Sequence, residues 1–105
     1  MLREGFAHAE DDMHARKVRE SRVEAERMVL ATRSALAADG DLLDGEERAR
    51  VETLLVVATD AALGADAQAI DDAVHALAEG TEAFAAARMN RGIRAALAGR
   101  KVDEI

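Results

Sequence analysis

Apolar residues change their pattern twice along the first third of the chain. Leu2, Phe6, Ala9 and Met13 recur at helical i, i+4, i+7 spacing and make one narrow stripe. From His14 to Arg27 the chain is mostly charged, with only small or isolated apolar residues such as Val18, Val23 and Ala25. From Met28 to Ala38 it is apolar on nearly every side. The whole stretch lacks proline, holds Gly5 as its only glycine, and is dense in Ala, Arg, Glu, Leu and Met, which are strong helix formers. At 1.5 Å per residue it would extend roughly 50 Å, too long for so small a domain to cover on all sides. The pattern therefore predicts an arm with a narrow docking stripe, a solvated strut and a buried end. Extending the stripe past Met13 lands on Arg16, Lys17 and Glu20. Residues 2–12 are therefore read as a first helix and 13–38 as a second. Either the chain kinks between them or one helix turns a different face to a different partner.

Local signals divide the remainder. Gly40 suits a left-handed C-terminal cap, and Leu42 and Leu43 can tuck inward from the loop. Asp44 and Glu47 read as a capping box. The helix that follows carries Val51, Leu54, Leu55, Ala58, Ala61 and Ala62 on one broad face and closes at Gly64. Asp66 is an N-cap, and Ile70, Val74 and Leu77 repeat at helical spacing. Gly80 marks a kink or short break. A last helix runs from Glu82 to about Leu97, and residues 99–105 read as a frayed tail. No strand pattern survives. The expected fold is all-α: a long helical arm leading into a small antiparallel bundle of three or four helices. The arm is placed at 1–27 and the bundle at 28–98. The expected core is Leu36, Leu54, Leu55, Ala58, Ile70, Val74, Leu77, Phe84 and Met89.

Composition narrows the chemistry. Of 105 residues half are hydrophobic, but much of that is alanine, and Phe6 and Phe84 are the only aromatics. Such a core buries little area per residue, so the bundle should be marginally stable. The net charge of -7 disfavours nucleic acid and anionic membranes, which attract excess Lys and Arg. No run approaches the roughly 20 apolar residues of a membrane span, and the acidic N-terminal dozen carries no apolar signal core. With no cysteine there is no disulfide and no thiolate metal site, which fits a reducing compartment. His8, His14 and His75 lack a convergent third ligand. The adjacent acids Asp11-Asp12 and Asp71-Asp72 point about 100° apart on a helix and do not converge for acid–base work. The hydroxyl residues have no histidine at workable spacing, and the glycines stand singly, with no phosphate loop. Arg16, Lys17, Arg19, Arg22 and Arg27 alternate with Glu20, Glu24 and Glu26, the pattern of a solvated helix with i,i+4 pairs such as Arg16–Glu20 and Arg22–Glu26. The residues thus point to a non-enzymatic helical interaction domain, with no catalytic, cofactor-binding or metal residues.

Several segments also carry a family resemblance. Phe6-Ala-His-Ala-Glu-Asp-Asp-Met13-His-Ala-Arg16 and Val23-Glu-Ala-Glu-Arg27 look like the start of the C-terminal helical lid of the 70-kDa heat-shock chaperones. Gly64-Ala-Asp-Ala-Gln-Ala-Ile70-Asp-Asp-Ala resembles that family's loop and the start of its fourth helix. Ala86-Ala-Arg-Met89 and Gly99-Arg-Lys-Val-Asp-Glu-Ile105 are most similar to the branch devoted to iron–sulfur cluster assembly. The resemblance covers essentially the whole chain.

It implies a cytoplasmic parent with an ATPase domain that binds ATP and magnesium, a β-sandwich that grips extended peptide, and this lid. Partners would be the β-sandwich, a client polypeptide (the cluster scaffold protein) and a J-domain co-chaperone. The docking face would be Leu2, Phe6, Ala9 and Met13. The family's latch, an acid and a histidine one turn later, would fall on Glu26 and Leu30; the leucine departs from the pattern and puts that latch in doubt. The alternative is a free-standing helical adaptor or dimerisation module whose stripe is a coiled-coil seam. A carboxylate-rich metalloenzyme bundle stands last, because paired Glu-x-x-His motifs are missing. Without the β-sandwich the stripe would face water, and the isolated chain is expected to form a weak homodimer through it.

Overall fold

Helix formers in the first third propagate without interruption. In the computed structural model, which describes the backbone from Leu2 to Glu104 and the side chains of residues 11–99, α1 is a single helix, Leu2–Asp39. The two helices expected on either side of residue 12 are therefore one, and the slip in the apolar stripe is a change of face. Residues 11–17 are all exposed. From Val18 onward one side is covered: Val18, Ser21, Ala25, Thr32, Ala35 and Leu36 are buried at i+3, i+4 and i+7 steps. The strut read as solvated is thus buried along one side, because Val18 and Ala25 meet Ala67 and Ile70. Thr32 is accommodated by donating from Oγ1 to the Met28 carbonyl at 2.8 Å.

α1 ends at Asp39 and passes into a 3-10 turn, Gly40–Leu42. The expected left-handed cap at Gly40 is not formed; no described residue has positive φ. Gly40 is instead buried beneath the Arg48 guanidinium, which a Cβ, 2.8 Å from Nη1, would push aside. α2 (Gly45–Leu63) opens on the capping box, with Glu47 N–H donating to Asp44 Oδ1 at 2.8 Å and Asp44 N–H to Glu47 Oε1 at 3.1 Å. Gly64 ends it. α3 (Ala67–Gly80) opens on Asp66, whose Oδ1 accepts from Gln68 and Ala69 N–H at 3.1 and 3.3 Å. The chain breaks at Gly80, where a Cβ would collide with the Leu54 side chain. α4 (Glu82–Glu104) then continues as helix through residues 99–104, where a frayed tail was expected.

α1, α2 and α3 pack against one another, and α4 touches this body only near its start. The core joins Ala35, Leu36, Val51, Leu55, Ala58, Ala73, Leu77 and Phe84, and continues into the smaller cluster around Ile70. Of the expected core, Leu36, Leu55, Ala58, Ile70, Leu77 and Phe84 are buried, and Leu54 and Val74 half-buried. Met89 is not core: it is 67% exposed, with Ile93 and Leu97 also exposed beyond it. The spacing identified a real apolar face, but α4 leaves the bundle after Phe84 and nothing covers that face. The molecule is consequently long, 78 × 32 × 17 Å, with a radius of gyration of 19.7 Å against about 13 Å for a compact chain of this size.

Two outcomes should separate the buried from the projecting residues. Phe84→Ala should cost about 3–5 kcal/mol in urea melts, whereas Met89→Ala should change stability by no more than about 0.5 kcal/mol. In hydrogen exchange, amides ahead of Val18 should exchange fast and those of Leu55, Ile70 and Leu77 slowest; uniform protection from residue 11 onward would contradict the packing.

Candidate docking surfaces

The side chains of Leu2, Phe6 and Ala9 lie outside the described residues. Met13, the fourth member of the expected docking face, is 69% exposed. It sits at one edge of a shallow groove continued by Lys17, Glu20 and Glu24 of α1 and Asp71 of α3. Neither Arg16–Glu20 nor Arg22–Glu26 closes to ion-pair distance among the described residues. Arg22 instead donates from Nη2 and Nε to the Gly64 carbonyl at 2.6 and 3.2 Å. A cation at the C-terminus of α2 complements the helix dipole, and the bond ties the end of α2 to the middle of α1.

Glu26 and Leu30, the two positions expected for a latch, lie one turn apart on α1. Both are exposed, Leu30 to 71%. They border one groove of about 420 Å³ between α1 and α2, where Ala25, Val29, Ala62 and Leu63 supply most of the apolar surface. Leu63 is 79% exposed. Arg33 stands on the same rim, a second charge of opposite sign to Glu26. This pair of positions offers one carboxylate and one aliphatic knob. It holds no imidazole, so it cannot gain a proton near neutral pH as a histidine would.

A third feature joins the C-terminal end of α1 to α4. Arg88 Nε donates to Asp39 Oδ2 at 2.8 Å, and Arg91 Nη1 reaches Asp39 Oδ1 at 3.1 Å. Arg91 also bridges both oxygens of Asp41, at 3.0 and 2.6 Å, a fork-on-carboxylate geometry. The Arg88 guanidinium lies 5.9 Å from the Phe84 ring centroid. The hydrogen bond from Arg88, joined by one from Arg91, holds the Asp39 carboxyl below the ordinary aspartate value of 3.8. The Arg91 bond does the same for Asp41, and both carboxylates push the Arg91 guanidinium up. Sequence reasoning missed this clamp. Partners 49 to 52 residues away leave no local signal.

Chemistry of other kinds does not assemble here. Among the described residues no three His, Cys, Asp or Glu converge on a metal-sized site. His75 Nε2 lies 3.0 Å from Glu79 Oε1 on an open surface, and His14 is exposed. No described helix is long and apolar enough to cross a membrane.

The class these elements define is an all-helical segment with exposed grooves and helix faces. No profile of a known protein family matches the chain. Individual relatives do. Over all 105 residues it is 68% identical to a chaperone protein HscA homolog of Methylibium petroleiphilum, 61% to that of Burkholderia thailandensis and 59% to that of Burkholderia pseudomallei. In each case the whole chain aligns but spans only 17% of the relative's length. The chain thus matches, end to end, a segment of the HscA chaperones of the 70-kDa heat-shock family, in line with the resemblance its motifs carry.

The clamp has a defined pH response. Because Asp39 and Asp41 ionise more readily in the folded chain than when free, their contribution to stability is complete above the ordinary aspartate range. It is lost as pH falls below 3.8 through their depressed folded values. Carbon-detected carboxyl titration should place both midpoints under 3.8. In Arg91→Ala the Asp41 midpoint should return toward 3.8, while Asp39, still held by Arg88, stays low.

Proposed function

We propose that this chain is the lid of an HscA-type chaperone, lying over the peptide-binding β-sandwich and slowing the release of bound peptide. The unequal covering of α1 is the observation that carries the reading. Residues 11–17 are exposed on all sides, while the following residues of the same helix pack on α2 and α3. A helix bare at residues 11–17 and bundled beyond them suits a strap laid across a second body. In this reading Leu2, Phe6, Ala9 and Met13 face the β-sandwich, residues 1–27 act as the arm, residues 28–98 as the bundle, and Glu26 with Leu30 occupies the latch position. With leucine in place of an imidazole, closure rests on apolar contact and on Glu26 rather than on a histidine hydrogen bond. ATP and magnesium belong to a separate domain that controls opening. The client is a cluster scaffold protein delivered by a J-domain co-chaperone in the cytoplasm, within iron–sulfur protein maturation.

The test uses a full-length HscA-type chaperone that carries this segment. Release of a fluorescent Leu-Pro-Pro-containing peptide from the ADP state is followed by anisotropy. Deleting the segment, or combining Phe6→Asp with Met13→Asp, should speed release at least about tenfold, since contact losses are expressed mainly in dissociation. Unchanged release would remove the lid reading and leave a free-standing helical adaptor.

A further inference from the structure

Beyond Phe84, α4 is held only by the Arg88 and Arg91 clamp among the described residues, and its apolar side chains are uncovered. Met89, Ile93 and Leu97, four residues apart, form an apolar ridge 67%, 50% and 57% exposed. A ridge of this kind at i, i+4, i+8 is normally buried. The arginine clamp decides where it goes. Arg88 and Arg91 fix α4 to Asp39 and Asp41, at the C-terminal end of α1, and the helix runs on past them. The long dimension of 78 Å exceeds the roughly 57 Å that α1 alone supplies. A groove of matching character, between α1 and α2 at Val29, Leu30 and Leu63, lies back along α1 from the clamp. The ridge of one chain therefore cannot enter its own groove while the clamp holds.

We propose that the ridge enters the groove of a second copy, and that two copies exchange α4 reciprocally about a two-fold axis. Charge selects this occupant. α4 carries five cations and three carboxylates, while the chain as a whole is -7. Two α4 helices side by side would bring like charges together, whereas α4 on the acidic body of another copy brings opposite ones. In this pairing Arg94, between Ile93 and Leu97, faces Glu26; Arg33 on the same rim balances that charge locally, so the attraction comes from the acidic body as a whole. Area supports exchange over a single contact: one three-residue ridge falls short of the roughly 1,200 Å² that specific association needs, and the two-fold pairing doubles it. The proposal does not rest on the lid reading. It does mean that a docked α4 would exclude any other occupant from Glu26 and Leu30.

The absence of cysteine makes the test clean. Leu30→Cys and Ile93→Cys chains, each with one exposed thiol, are mixed in oxidised glutathione. The mixed 30–93 disulfide dimer should dominate over self-crosslinking of either chain. Dominant self-crosslinking of Ile93→Cys would set two α4 helices together and overturn the proposal. In sedimentation velocity the unmodified chain should dimerise with a Kd of about micromolar order. Ile93→Asp with Leu97→Asp, and separately Leu30→Asp with Leu63→Asp, should each raise that Kd at least about tenfold, with helix content unchanged by circular dichroism. A monomer at every concentration overturns the proposal. So does a dimer that survives both double changes, which would place the interface elsewhere, including the stripe ending at Met13.

Discussion

Close approach between helices, made by alanine, is the contact on which the rest of this structure depends. Ala25 and Ala58 are fully buried, and Ala35, Ala67 and Ala73 nearly so. These small side chains sit at the seams among α1, α2 and α3, where larger ones would hold the axes apart. The few large residues, Leu55, Ile70 and Leu77, fill the space that remains. A chain with almost no aromatic residues thereby obtains a dense interior from many small contacts. The cost is reach: a core this thin covers three helices and only the first turns of a fourth. The bare stretch of α1 at residues 11–17 and the uncovered ridge of α4 both follow from it.

What the sequence made legible was local. Asp44 with Glu47, Asp66, Gly64 and Gly80 announce helix boundaries through chemistry that acts within four residues, and each boundary is where that chemistry placed it. The all-α architecture followed from the same signals. Periodicity was less informative about burial, because it shows that a face is apolar without showing what covers it. Val18 and Ala25 looked stranded among charges and are buried by α3; Met89 was in phase with other apolar residues and is open. The arginine clamp had no signature at all, since Asp39 and Arg91 become neighbours only once three helices have been stacked. Of the candidate site, the latch positions could be named from the family pattern. The groove they share needed α2 in place.

The two uncovered surfaces differ in kind. The arm of α1 is bare on all sides at residues 11–17 and has charged residues flanking Met13, which suits a partner that surrounds it. The ridge of α4 is narrow and flanked by cations, which suits an apolar groove on an acidic body. The chain spans 17% of an HscA homolog's length, and in the proposed lid reading the arm is covered by the β-sandwich. The ridge, on a helix held away from the body by two arginines, calls for a cover from outside the chain.

The unbroken course of α1 also governs how the segment can move. A helix with no proline, no bulge and no positive-φ residue between Leu2 and Asp39 behaves as a stiff rod. Rotation about its N-terminal end is then transmitted undiminished to the bundle, and a 10° swing carries the far end through roughly 10 Å at 1.5 Å of rod per residue. Any joint must lie outside the rod, so α1 works as a lever arm: small torques applied near its start become large displacements where α2, α3 and α4 are attached.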